Sequence, residues 1–99
     1  MALDTSYIEN VVLLNNVAVT GSSVRAKGGN YIWEAEGTFG GATLQLQAAN
    51  ANGTMTNITG ASLTANGFVS VELGANALVR VTVTGGSPAN LYSTLVAVP

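Results

Sequence analysis

Ninety-nine residues, 47% hydrophobic and only 8% charged, make one domain's worth of chain, too apolar to be disordered and too sparsely charged for an ordinary solvated surface. Its three cations, Arg25, Lys27 and Arg80, stand against five acids for a net charge of −2, too little positive charge to neutralise a run of phosphates, so no nucleic-acid partner is expected. Histidine and cysteine are both absent, which removes Ser-His-Asp and Cys-His catalysis, zinc-thiolate sites and disulfides together.

The chain opens with residues 1–10, polar and slightly acidic, without a basic stretch leading into an apolar one, so no secretory signal is expected. This stretch reads as an N-terminal arm, either a frayed end or an extension reaching a neighbouring subunit with Tyr7 and Ile8 as anchors. Residues 11–99 read as a single β-sandwich domain. Val11 to Thr20 is a strand candidate, continuous or broken at Asn15-Asn16, and its longest apolar run, Val11 to Leu14, is too short to span a bilayer, so no membrane partner is expected. Lys27 falls in a glycine-bounded loop.

Tyr31 to Phe39 sets Tyr31, Trp33, Ala35 and Phe39 on one face and Glu34, Glu36 and Thr38 on the other. Gly40-Gly41 then reads as a tight hairpin into Ala42 to Ala48, where Leu44 and Leu46 alternate with Thr43, Gln45 and Gln47. Asn52-Gly53 and Asn66-Gly67 carry the residues that supply positive φ in primed turns, with a short strand at Met55 to Thr59 between them. Phe68 to Leu73 places Val69, Val71 and Leu73 inward; Leu78 to Thr84 does the same with Val79, Val81 and Val83. Leu91 to Val98, after the turn at Gly85 to Pro88, is apolar on both faces, as a strand covered on both sides or lying in a subunit contact would be. Period-two runs divided by turn residues, with no helical stripe, predict an all-β fold: a small antiparallel β-sandwich or barrel of about six to seven strands.

Catalytic constellations are thin. Glu34 and Glu36, at i and i+2 on one strand, have Cα atoms about 6.6–6.8 Å apart, a spacing open to a two-carboxylate glycosidase or a cation. The plainer reading is a polar solvated face or pairing with Arg80 or Arg25. Trp33, Tyr31 and Tyr92 could form a sugar platform, but Tyr31 and Trp33 fall on the core side of their strand. A Ser-Lys pair would have to use Lys27, the single lysine, on a loop without a shaped pocket. The chain is therefore expected not to be an enzyme and to need no cofactor or metal.

The segment Trp33-Glu-Ala-Glu-Gly-Thr-Phe-Gly-Gly-Ala-Thr-Leu-Gln-Leu-Gln47 resembles a hairpin of small β-sandwich virion proteins of tailed bacteriophages. Val69-Ser-Val-Glu-Leu-Gly-Ala-Asn-Ala-Leu-Val-Arg-Val-Thr-Val83 and Gly85-Gly-Ser-Pro-Ala-Asn-Leu-Tyr92 continue the likeness, which runs from Trp33 to Val98 and leaves Met1 to Gly29 outside it. The pattern is most similar to capsid decoration (cement) proteins. That resemblance implies a virion location on the capsid surface and binding at junctions of the major capsid protein. It also implies a homo-oligomer, with lattice geometry suggesting a trimer. The alternative is a carbohydrate-binding or structural β module of a tail or head fibre. The expected contact residues are Tyr7 and Ile8 in the arm and Leu91, Tyr92 and Val96 on the last strand, apolar where a monomer has least to cover them.

Overall fold

The computed structural model describes residues 10–98. They form eight strands: β1 (Asn10–Val17), β2 (Val24–Ala26), β3 (Gly29–Thr38), β4 (Thr43–Ala49), β5 (Met55–Leu63), β6 (Gly67–Leu73), β7 (Ala77–Thr84) and β8 (Ala89–Ala97). The all-β expectation holds, as a sandwich rather than a barrel, with one strand more than the upper count expected. The additional strand, β2, is three residues long, too short to show alternation. β1 begins at Asn10, the last residue of the expected arm.

The strands divide into two four-stranded antiparallel sheets, sheet A in the order β1-β8-β3-β6 and sheet B in the order β2-β7-β4-β5. This is the jelly-roll arrangement. The order has a simple origin: β4 pairs β5, β3 pairs β6, β2 pairs β7 and β1 pairs β8. The chain is thus one long hairpin, tip at β4–β5, rolled so that β3 also meets β8 and β4 also meets β7.

Rolling explains why most of the expected hairpins are something else. Among the described residues, consecutive strands pair with each other only at β4–β5, where the Asn50 and Gly53 amides donate to Thr54 and Asn50 carbonyls and Gly53 has φ 89°. Gly40-Gly41 carries the chain from sheet A to sheet B. Asn66-Gly67, Gly74 to Asn76 and Gly85 to Pro88 also change sheets. Neither Asn66 nor Gly67 takes positive φ, so that step is no primed turn.

Alternation places the core as the side-chain period requires. Trp33, Tyr31, Leu44, Leu46, Val79, Val81, Leu91 and Leu95 are fully buried between the sheets. Trp33 Nε1–H donates to Ser93 Oγ at 2.7 Å, and Ser93 Oγ–H donates to the Glu34 carbonyl at 2.7 Å, satisfying the buried indole and the buried serine together. In β1 the ladder to β8 slips twice, between Val12 and Leu14 and between Asn15 and Val17. The first slip lets both Leu13 and Leu14 enter the core; the second holds Asn16 at φ 56°.

Candidate interaction face

The two outer faces of the sandwich differ in chemistry. On sheet B, Arg80 Nε–H donates to Gln47 Oε1 at 2.9 Å and Gln47 Nε2–H to Asn57 Oδ1 at 2.8 Å, a polar ladder running across three strands. Thr82, Thr84, Thr43 and Gln45 lie beside it, and Arg25 stands opposite Leu78 toward the β2 edge. These groups satisfy one another or face water.

Sheet A presents something else. Pairing aligns Asn10, Val96, Ile32 and Ser70 in one outward row, Val12, Thr94, Glu34 and Phe68 in the next, and Asn15, Tyr92 and Glu36 in a third. Phe68 is 71% exposed, Val12 55%, Tyr92 41% and Val96 38%. Large apolar side chains therefore span all four strands of this sheet, interleaved with Glu34 and Glu36, and Glu72 points outward on β6. All three carboxylates of the described residues project from this face, while Arg25 and Arg80 project from the other.

The sequence-predicted contact residues separate accordingly. Tyr92 and Val96 sit on the outer face of sheet A. Leu91 does not: it is 0% exposed and packs in the core, which corrects its assignment to a contact surface. The reason is phase, since Leu91, Ser93 and Leu95 form the inward set of β8 and Tyr92, Thr94 and Val96 the outward one. Tyr7 and Ile8 lie outside the described residues. Sequence reasoning missed Phe68, Val12 and Ile32, and the strict alternation of β6 was the signal that could have found Phe68.

Glu34 and Glu36 share a face as expected, Glu34 accepting a 3.4 Å hydrogen bond from Thr94 Oγ1. Among the described residues no group of three or more acidic, histidine or cysteine side chains is placed to hold a metal ion. The pair stands on an open sheet face, away from the grooves that Arg25, Tyr31 and Leu13 help to line. One groove, about 570 Å³, lies between the β4–β5 tip and the β6–β7 connection, with Arg25 and Glu72 on its walls. Tyr31 and Trp33 are buried, which leaves Tyr92 alone of the three aromatics considered as a sugar platform.

No family model, no curated protein and no solved structure matches this chain.

Proposed function

We propose that this chain is a capsid decoration protein of a tailed phage, seated at junctions of the major capsid protein through the outer face of sheet A. The observation that carries the reading is that face itself. Val12, Ile32, Phe68, Tyr92 and Val96 spread over four strands with two carboxylates among them, and those strands hold no lysine or arginine. Large apolar side chains exposed together on one sheet face are what a protein contact covers. A chain that is 8% charged also loses little hydration when it is buried against a neighbour. The partner surface is accordingly apolar with cationic groups opposite Glu34 and Glu36.

The mechanism is mechanical. Each bound copy adds buried area across a junction, and that area must be re-exposed before the junction opens under internal DNA pressure. A fibre module that binds carbohydrate is the competing reading, and the burial of Trp33 and Tyr31 takes away most of the aromatic strip it would use.

The test is co-sedimentation of purified protein with shells assembled from the major capsid protein alone. Wild type is expected to travel with the shells, and Tyr92→Asp and Val96→Asp to lose affinity about a hundredfold each, as central apolar contacts do. Both variants should keep the wild-type dichroism spectrum. Undiminished binding by the folded variants sinks the assignment of this face, and wild-type protein that ignores shells but binds a glycan panel sinks the function.

A further inference from the structure

Among the described residues four strand edges have no strand paired to them, β1 and β6 in sheet A, β2 and β5 in sheet B. An open edge presents unpaired N–H and C=O groups and accepts another strand unless something blunts it. Three of these edges are blunted. The β1 ladder slips at two places. β2 is three residues long. The β5 register breaks between its contacts with Gln45 and Gln47, Gly60 stands at φ 82°, and Gln45 Nε2–H donates to the Leu46 and Ile58 carbonyls across the break.

β6 is different. Its seven residues pair with β3 in unbroken register from Gly29–Leu73 to Ala35–Gly67, and it holds no proline, lysine or arginine. Its outward side chains, Phe68, Ser70 and Glu72, are all exposed.

We propose that β6 pairs antiparallel with β6 of a second copy of this chain, about a two-fold axis through Ser70, joining the two copies of sheet A into one sheet. The register follows from overlap and charge. An axis at Ser70 uses the whole of β6, setting Gly67 against Leu73 of the other copy and Phe68 against Glu72. The phenyl ring then covers the aliphatic stem of the opposing glutamate. The two Glu72 Cα atoms end up about 14 Å apart, farther than the screening length of about 8 Å at physiological salt. An axis at Glu72 would set the acids directly opposite each other and leave most of the strand unpaired.

The pair also enlarges the outer face. Four strands at about 4.8 Å spacing and about 26 Å length give one outer face a flat footprint of about 500 Å². A two-fold axis normal to the sheet turns both outer faces the same way, so two copies offer about twice that footprint. A second copy at this edge is thus a two-fold partner, in place of the trimer that lattice geometry suggests.

The native chain has no cysteine, so Ser70→Cys introduces a single thiol at the axis. Cross-strand Cα separations of about 4.5–5.5 Å fall within the range a disulfide bridges. Mild oxidation should convert Ser70→Cys to a covalent dimer, while Val12→Cys on β1 and Ser62→Cys on β5 stay monomeric. Wild type should sediment as a dimer, and Phe68→Lys/Ser70→Lys should raise the dimer dissociation constant at least about tenfold with an unchanged dichroism spectrum. A monomeric or trimeric wild type, crosslinking no faster than in the two controls, or a dimer indifferent to the lysines overturns the pairing. A monomer that still binds shells overturns the pairing alone and leaves the decoration role standing.

Discussion

Ser93 is the residue on which the interior depends most unusually, because it is a polar side chain fully buried among apolar ones. It accepts from Trp33 Nε1–H and donates to the Glu34 carbonyl, so its removal orphans a buried indole donor. Ser93→Ala is therefore expected to cost about 1–3 kcal/mol in urea unfolding. Thr94→Ala, one residue on and on the outer face, should change stability by less than about 0.5 kcal/mol. Equal effects at the two positions would mean that the buried pair is energetically idle. The same serine explains why the last strand was hard to read. With Ser93 between Leu91 and Leu95, and Thr94 between Tyr92 and Val96, each face carries two large side chains flanking one small hydroxyl residue. Composition does not set the phase; the indole of Trp33, placed on the neighbouring strand at the Trp33–Leu95 pair, does.

At the scale of elements, long regular strands were legible and irregular ones were not. β4 and β7 alternate without interruption, and their inward residues Leu44, Leu46, Val79 and Val81 are those the sequence indicates. β1 reads as a short apolar run, Val11 to Leu14, of unclear phase, because its first slip puts Leu13 and Leu14 on the same side, which no fixed period describes. Turn chemistry was legible as punctuation, whereas the strands each turn joins were not. Gly40-Gly41 and Gly85 to Pro88 both change sheets and meet each other: the Ser87 amide donates to the Gly40 carbonyl at 3.0 Å. Gly86 stands at φ 60°, and a Cβ there would lie 2.4 Å from the Ala42 amide nitrogen. Gly86→Ala thus meets a left-handed penalty of about 1–2 kcal/mol and a backbone clash besides. Chemical denaturation should show a loss larger than that penalty, and a loss below about 1 kcal/mol would mean the two corners are free to separate.

For the molecule as a whole, the rolled hairpin orders its own folding. Gln47 opposite Asn57 closes a short loop, Trp33 opposite Val69 a longer one, Arg25 opposite Leu78 longer again, and Val11 opposite Leu95 spans almost the whole described chain. Loop closure costs about 0.6 kcal/mol for each doubling of length, so pairing that spreads outward from the β4–β5 tip meets each longer closure with a shorter one already made. A fold dominated by such distant pairs is expected to fold in milliseconds to seconds. Substitutions near the tip should act on the folding rate and substitutions in β1 on the unfolding rate. Leu46→Ala, beside the tip on β4, and Leu14→Ala, in the doubled leucines of β1, are both fully or nearly fully buried and each removes about 2–5 kcal/mol. Stopped-flow refolding should be slowed by Leu46→Ala, with most of its lost stability appearing in that limb. Leu14→Ala should instead accelerate unfolding and leave refolding almost unchanged. The reverse partition would place the nucleus at the β1–β8 seam, and the hairpin would then describe the topology of the molecule without describing how it forms.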